Sequence, residues 1–290
     1  MPELPEVETT IRELKKSILG RKIEDVWSDW PKAVKNPKNF KRFKSLLKGS
    51  KIEGVERRGK NVLIRLSSKK TLLIHQKMTG HLLFGEWQLK KGEWASLIKG
   101  PLCEDPRNRF LHFILFFDNG KMLALSDLRK FAKVELLGKD ELEKELRFLG
   151  PEPLDKAFTF EKFKKVLKPK KGKIKQVLMD QAVISGIGNI YSDEILWRAG
   201  INPFKKVPLL SEAELKKIFK ATKKILLLAV KLRGESFSDY RTPSGEKGDF
   251  DAERKVYQRE GEKCPRCSTI IKRAKIGGRS AHFCPKCQKP

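Results

Sequence analysis

The sequence predicts an α+β multidomain protein with an N-terminal β-sandwich and leading helix, a helical second domain and a C-terminal zinc ribbon. Short apolar runs fill the first half of the chain, and the hydrophobic period becomes helical after residue 150. Four of the five cysteines lie in the last 27 residues. At 290 residues the chain has room for two or three domains, with expected ranges 1–149, 150–250 and 251–290.

The first predicted element is an amphipathic helix over Pro5–Leu19. Val7, Ile11 and Leu14 recur at helical spacing, proline suits the first turn, and Gly20 follows the last periodic residue. The residues before this helix are expected to project freely.

The next stretch, up to residue 137, is predicted to form the strands of a β-sandwich, because its apolar runs are short and rich in Val, Ile and Phe. Asp118-Asn119-Gly120 signals a hairpin between two of them. Glu86–Arg109 lacks a clear period and is expected to be a loop or insertion. The predicted strands are Lys51–Val55, Asn61–Leu66, Thr71–His75, Phe110–Phe117, Lys121–Leu125 and Lys133–Leu137.

A helical domain is predicted after the linker Leu149–Leu154, which is rich in proline and glycine. Gly234–Asp251 is rich in Ser, Gly and charge, which is typical of a mobile loop. The predicted helices are Phe158–Leu167, Ile174–Met179, Asn189–Ala199 and Glu212–Leu232.

Two Cys-x-x-Cys pairs near the end predict a closed site for one structural Zn²⁺. Sixteen residues separate the pairs, which is the spacing of a four-thiolate zinc site. A pair of redox dithiols is the alternative, disfavoured because neither pair lies in a βαβ context. His282 is then expected to be a surface or DNA-facing residue rather than a ligand. The predicted ligands are Cys264, Cys267, Cys284 and Cys287.

Between the two cysteine pairs, Ile270–Arg279 is predicted to form a β-hairpin. The Gly277-Gly278 tip would present Arg279, which can bind phosphate with two parallel hydrogen bonds.

A second phosphate-binding pattern is the glycine turn Gly186-Ile-Gly188, which precedes a predicted helix. Asn189 is expected to be the N-cap of that helix and to donate to a phosphate. The lysine cluster Lys168–Lys175, which includes Lys170, lies next to it. A plain helix–helix turn with a solvated charged face is the alternative.

The charge balance favours a nucleic-acid partner. Lysine and arginine number 64 against 36 acidic residues, a formal net charge of +28. A thermophile-like surface would explain the 34% of charged residues but not the excess of one sign. No apolar window approaches the roughly 18 residues of a membrane span, and no signal peptide is evident, so an intracellular protein is expected.

The N-terminus carries a candidate nucleophile. A small second residue permits removal of Met1, which would leave a secondary amine on Pro2 with a lower pKa than a lysine side chain. Such an amine can attack a sugar C1′ and form an iminium, which allows elimination of the 3′ phosphate. Glu3 can then act as general acid. From these residues alone, an ordinary frayed chain start remains the alternative.

Three separate motifs resemble the formamidopyrimidine-DNA glycosylase family. Met1–Thr9 resembles its N-terminal signature, and Ile174–Pro203 its helix-two-turn-helix. Arg279 with Cys284–Gln288 resembles its zinc finger. The resemblance implies a bifunctional glycosylase and AP lyase that acts as a monomer on damaged double-stranded DNA, in the cytoplasm at the nucleoid. It also implies that the helical domain is a helix-two-turn-helix domain.

The resemblance also assigns roles to residues. Pro2 is the implied Schiff-base nucleophile and Glu3 the proton donor. Lys60 and Arg279 match residues that contact phosphate and assist elimination. The resemblance further implies the gap-filling contacts Met78, Arg129 and Phe131. It also implies a basic contact in the central loop, for which His112, Arg109 and Arg107 are candidates, while Asn189 and Lys170 remain DNA contacts expected from the glycine turn and the lysine cluster.

The chain departs from the family pattern at Gln76-Lys77 and at Ala132, which affects local contacts and lesion preference. Gly234–Tyr240 resembles the family loop that closes over an oxidised purine, which favours 8-oxoguanine and formamidopyrimidine as substrates. Two alternatives stay open: an endonuclease VIII-like glycosylase for oxidised pyrimidines, and a non-catalytic zinc-ribbon protein that binds DNA.

Overall fold

The computed structural model describes residues 1–237 and 239–289. The chain forms two compact units by backbone packing. The first comprises Met1–Arg147 and Leu232–Asp251, and the second comprises Phe148–Lys231 and the residues from Ala252 onward. The 232–251 segment, which the sequence groups with the helical domain, therefore packs within the first unit.

The first unit alternates short helices with strands. Its helices are α1 (Leu4–Ile18), α2 (Phe40–Leu47), α3 (Pro101–Glu104) and α4 (Lys139–Leu146), with 3-10 turns at Pro31–Ala33 and Pro106–Arg109. Its strands are β1 (Ile23–Trp27), β2 (Val34–Asn36), β3 (Ile52–Arg58), β4 (Asn61–Leu66), β5 (Thr71–His75), β6 (His81–Gly85), β7 (Trp87–Lys90), β8 (Glu93–Ser96), β9 (Leu111–Phe117), β10 (Met122–Ser126) and β11 (Lys133–Leu137).

The strands form the predicted β-sandwich. One sheet has the order β1-β9-β10-β6, and a second has the order β2-β11-β5-β4-β3. Apolar residues of both sheets, α1 and α2 share one buried core, because alternate residues of each strand face inward. The predicted leading helix, the six predicted strands and the hairpin at Asp118-Asn119-Gly120 are confirmed.

The expectation for Glu86–Arg109 is wrong in part. The segment contains the β7–β8 hairpin, α3 and a 3-10 turn. Trp94 of this hairpin packs edge-on against Trp27, and Leu102 of α3 is buried. The apolar residues of this segment recur at neither helical nor strand spacing, so the sequence did not predict its elements.

The second unit is helical and contains a β-hairpin between its two cysteine pairs. Its helices are α5 (Phe160–Leu167), α6 (Ile174–Met179), α7 (Asn189–Ala199) and α8 (Glu212–Lys231), and its strands are β12 (Lys272–Ile276) and β13 (Arg279–Phe283). The four predicted helices are thus confirmed. Within the described residues, no helix has the length and apolar character needed to cross a bilayer.

Candidate active site and nucleic-acid interface

Pro2 and Glu3 are buried at the start of α1, and Glu3 is only 2% exposed. Glu6, in the first turn, accepts a hydrogen bond from the Glu3 amide at 2.7 Å. Its other carboxylate oxygen accepts from the Glu235 amide at 2.9 Å. The expectation that the residues before the helix project freely is therefore wrong beyond Met1, because the carboxylate of Glu6 fixes the backbone there.

Lys60 lies in the same unit, in the two-residue turn between β3 and β4. Gly59 supplies the positive φ of 57° that this turn requires. The Lys60 side chain is 6% exposed, which is unusual for lysine. Since α1 packs against β3 and β4, this turn and the start of α1 belong to neighbouring elements of one domain.

Asp127 connects the turn that carries Met78 to the turn that carries Arg129 and Phe131. One Asp127 oxygen accepts from the amides of Phe131 and Ala132, each at 2.7 Å, and the other contacts the Thr79 hydroxyl. The Thr79 hydroxyl also accepts from the Arg129 amide at 3.1 Å.

The structure thus brings the predicted gap-filling residues onto two adjoining turns. The Arg129 guanidinium lies 4.6 Å from the centroid of the Phe131 ring, which is 50% exposed. Met78 is half-buried. The exposed aromatic ring and its cation are available to a flat ligand such as a base.

The candidates for a central-loop contact have protein partners. His112 Nδ1 lies 2.9 Å from Asp29, and Arg107 lies 3.4 Å from Asp239. Arg109 is exposed at the end of the 3-10 turn. Arg109 is therefore the best placed of the three for an added anion.

In the second unit, the glycine turn precedes α7 as predicted, with one correction. Gly188 is the N-cap, and Asn189 is the first residue of the helix. Gln181 fixes the turn, since it accepts from the Gly186 amide at 2.9 Å and donates to the Ile187 carbonyl at 2.7 Å. Asn189 Oδ1 is buried and has no hydrogen-bond partner among the described residues.

Lys170 lies in the loop between α5 and α6. Its ammonium is 3.6 Å from Asp180, and both side chains are partly exposed. Exposed ion pairs of this kind contribute about 0–1 kcal/mol, so an incoming phosphate can compete for the lysine.

A buried ionic network connects α6, α7 and β13. Lys175 lies 2.5 Å from Asp193, and both side chains are at most 1% exposed. The other oxygen of Asp193 accepts from the His282 amide at 2.9 Å and lies 2.9 Å from His282 Nδ1. His282, expected at the surface, is instead 3% exposed and connects the hairpin to the helix pair.

Sequence reasoning missed Asp193 and its neighbour Glu194. Glu194 accepts from the backbone amides of Lys255, Val256 and Tyr257 at 2.9–3.0 Å. Burial raises the pKa of Glu194 despite the three amide hydrogen bonds that favour its ionised form. Two adjacent acids between the apolar pairs Ile190-Tyr191 and Ile195-Leu196 were the available signal.

The predicted metal ligands come together. The Sγ atoms of Cys264, Cys267, Cys284 and Cys287 all lie within 4.8 Å of one another. Three of the sulfur–sulfur distances are 3.3, 3.4 and 4.0 Å. A tetrahedron with Zn–S bonds of about 2.3 Å has edges of about 3.8 Å, so the donor set fits one structural Zn²⁺.

The zinc hairpin presents Arg279 as predicted. Gly277 and Gly278 form the turn between β12 and β13 with φ of 54° and 76°, which matches a tight type I′ hairpin. Arg279, the first residue of β13, is exposed. A Cβ on Gly277 would lie 2.3 Å from Gln176 of α6, so the hairpin tip approaches that helix closely.

Comparison with known proteins decides the family. Residues 1–134 match the formamidopyrimidine-DNA glycosylase N-terminal domain, residues 149–241 its H2TH domain and residues 261–290 a zinc finger found in FPG and IleRS. The chain belongs to the formamidopyrimidine-DNA glycosylase family. Its helical domain is therefore a helix-two-turn-helix domain, as the resemblance implied.

Curated formamidopyrimidine-DNA glycosylases match over the whole chain. The protein of Carboxydothermus hydrogenoformans is 41% identical over 290 residues, covering 100% of both chains. That of Pelotomaculum thermopropionicum is 39% identical, covering 100% of this chain and 99% of the relative.

Solved structures of the family are also similar. One is a complex of a Lactococcus lactis Fpg mutant with DNA containing Fapy-dG, with a TM-score of 0.86, 34% identity and full coverage of both chains. Another is MutM with DNA containing carbocyclic 8-oxo-G, with a TM-score of 0.85, 34% identity and full coverage.

Proposed function

We propose that this chain is a bifunctional DNA glycosylase and AP lyase that excises oxidised purines, 8-oxoguanine and formamidopyrimidine, in base excision repair. The observation that carries the proposal is the full-length likeness to family structures solved with Fapy-dG and 8-oxo-G DNA. The net charge of +28 supports a DNA substrate. We also propose that the chain acts as a monomer, in the cytoplasm at the nucleoid.

In the proposed reaction, removal of Met1 leaves the amine of Pro2, which attacks C1′ of the damaged nucleoside. The bond from C1′ to the base breaks and the base leaves, the C1′–O4′ bond then opens to form the iminium, and Glu3 supplies a proton to the ring oxygen or the departing base. The position of Glu3 directly after Pro2, at 2% exposure, supports this role.

The resulting iminium withdraws electrons from C2′, so a proton leaves C2′ and the 3′ phosphate is eliminated. A second elimination expels the 5′ phosphate. We assign Lys60 and Arg279 to the phosphates beside the lesion, where a cation stabilises the developing negative charge. The exposure of Arg279 at a rigid hairpin supports its assignment.

Extrusion of the damaged base leaves a gap that costs a few kcal/mol of lost stacking. We propose that Met78 and Phe131 fill that gap and that Arg129 faces the orphaned base. The Asp127 network that connects their two turns supports a joint role. Asn189, Lys170 and the zinc hairpin are proposed to bind the backbone, with His112 or Arg109 as a further contact.

Borohydride trapping tests the nucleophile. Processed wild-type protein should give a covalent adduct with an 8-oxoguanine duplex, and Pro2→Gly should lose most of it. The matched control is the wild-type sequence with Met1 retained by an N-terminal extension, which should bind the duplex but give no adduct. An undiminished adduct with the blocked terminus would refute Pro2 as the nucleophile, and no adduct with processed protein would favour a non-catalytic DNA binder.

A lesion panel tests the substrate class. Excision of 8-oxoguanine and formamidopyrimidine should be faster than excision of thymine glycol under single-turnover conditions. The reverse order would favour the endonuclease VIII-like alternative.

A further inference from the structure

The sequence offered Arg107 and Arg109 as candidate DNA contacts but gave no structural role to the segment Pro101–Arg109, which is called the anchoring segment here. In the structure this segment, made of α3 and the following 3-10 turn, contacts the segment Gly234–Asp251 that follows α8, called the capping segment here. Both belong to the first unit. The strongest contact is a salt bridge of 2.5 Å between Asp105 and Arg241.

Arg241 is 2% exposed and is among the largest fully buried side chains of the chain. Its guanidinium also donates to the Tyr240 carbonyl at 2.6 Å. Burial alone would raise the pKa of Asp105, but the hydrogen bond from Arg241 keeps it below its ordinary value. Removal of Asp105 would therefore take away a carboxylate that faces a buried cation and should loosen the contact between the two segments.

Asn108 makes a second connection. Its amide nitrogen donates to the carbonyls of Pro101 at 2.8 Å and of Gly245 at 3.1 Å. Since that nitrogen is a donor, the amide oxygen accepts from His81 Nε2, which lies 3.0 Å away. Asn108 is 1% exposed and thus joins β6, the anchoring segment and the capping segment in one buried set of hydrogen bonds.

The capping segment fits closely against these residues. The Phe84 amide of β6 donates to the Pro243 carbonyl at 2.8 Å. Gly245 has a φ of +85°, and a Cβ there would lie 2.9 Å from the backbone nitrogen of Leu102. The described residues of the segment predicted to be a mobile loop are therefore packed, although none of them belongs to a regular strand.

We infer that the anchoring segment positions the capping segment over the extruded base and so controls the rate of base excision. The inference rests on the proposed function and on the resemblance of Gly234–Tyr240 to the family loop that closes over an oxidised purine. An abasic site has no base to be covered. Strand cleavage at a preformed abasic site should therefore depend little on the anchor, whereas excision of 8-oxoguanine should depend on it strongly.

The test is a double-mutant cycle on Asp105→Asn and Arg241→Met. Displacing a substrate-contacting group by about 1 Å can cost about a hundredfold in rate, so each single variant should lose about tenfold or more in single-turnover excision of 8-oxoguanine. The double variant should lose little more than either single variant, since the two residues act as one pair. Glu104→Gln, which removes the same charge one residue away at an exposed position, should excise at the wild-type rate.

The same proteins are assayed on a preformed abasic duplex, where all should cleave within about twofold of wild type. Equal loss on both substrates, or wild-type excision by Asp105→Asn, would overturn the inference while leaving the proposed function intact. Failure of the wild-type protein on both substrates would instead refute the proposed function.

Amide hydrogen exchange gives an independent measurement. Asp105→Asn should speed the exchange of backbone amides in the capping segment, and an unchanged exchange rate would also overturn the inference.

Discussion

At the scale of single residues, Asp127 determines where the proposed gap-filling side chains lie. Its carboxylate accepts two backbone amides at 2.7 Å and contacts the Thr79 hydroxyl, all at a position 1% exposed. Hydrogen bonds to a buried charged group contribute about 1.5–3 kcal/mol each, and a donor left unpaired there carries its full desolvation cost.

Asp127→Ala should therefore lower the free energy of unfolding by about 3 kcal/mol or more. It should also weaken binding to a duplex with a stable abasic analogue, because the turns of Met78 and Phe131 lose their common support. Urea unfolding and a binding titration measure the two effects. Asp118→Ala, in an exposed hairpin turn, is the matched control and should change neither.

His81 should make the stability of the first unit depend on pH. Burial lowers the pKa of His81 to about 4, so the folded state keeps the imidazole neutral where the unfolded chain takes up a proton. As the pH falls from about 6.5 to about 4, the free energy of unfolding should fall by up to about 1.4 kcal/mol per pH unit on account of this residue.

His81→Gln isolates this contribution. The variant should be less stable than wild type at pH 7.5, and the gap should narrow as the pH falls to 5, because only the wild type has the buried imidazole. Urea unfolding at several pH values gives the gap. A gap that widens toward acid pH would mean that the folded state favours the protonated imidazole.

Single residues were also the hardest to predict. The sequence indicated the zinc ligands because two Cys-x-x-Cys pairs at this spacing are typical of a four-thiolate site, and it indicated the hairpin arginine because Arg279 follows a Gly-Gly turn. It placed His282 at the surface, since nothing near it in the chain marks its partner Asp193, 89 residues away. Contacts between residues far apart in the chain carry no local signature.

At the scale of elements, the α6–α7 pair and the zinc hairpin share the buried network of Lys175, Asp193 and His282. Breaking a buried ion pair by removing one partner typically costs about 3–5 kcal/mol. Asp193→Asn should lower the free energy of unfolding of the second unit by an amount in that range, and it should speed zinc release to a chelator because β13 loses its connection to α7.

The control for Asp193→Asn is Glu161→Gln, which removes a carboxylate paired with Lys164 at 3.2 Å on the exposed face of α5. Exposed pairs of this kind contribute about 1 kcal/mol or less. Unfolding measurements with zinc present, together with chelator kinetics, compare the two variants. Equal small effects would show that the buried network does not stabilise the hairpin.

Helices and strands whose apolar residues recur at regular spacing were predicted well, and those without such spacing were missed. Asn61–Leu66 and Asn189–Ala199 have the predicted bounds. The sequence did not indicate β6, because His81–Gly85 is short and its partner strand β10 is about forty residues further along the chain. Tertiary pairing, not local propensity, creates such a strand.

At the scale of the whole molecule, the charge predicted the class of partner but not its position. The excess of 28 positive charges requires a polyanion or a high salt concentration to offset self-repulsion. The capping segment shows the limit of composition: its Ser, Gly and charged residues suggested a mobile loop, yet Arg241 is buried and pairs with Asp105, which is 136 residues away in the chain.

DNA affinity should consequently fall steeply with salt. If six or more cations of this chain contact phosphates, the Kd for an undamaged duplex should rise about a thousandfold between 50 and 200 mM salt, because each contact releases a condensed counterion.

Arg279→Ala should reduce the slope of log K against log salt by about one. Arg12→Ala, which removes a cation already paired with Glu8 at 2.8 Å on α1, should leave the slope unchanged. A titration series by fluorescence anisotropy measures all three slopes. A slope near zero for wild type would mean that the positive charge does not face the DNA backbone, whereas equal slopes for wild type and Arg279→Ala would exclude the hairpin arginine from phosphate contact.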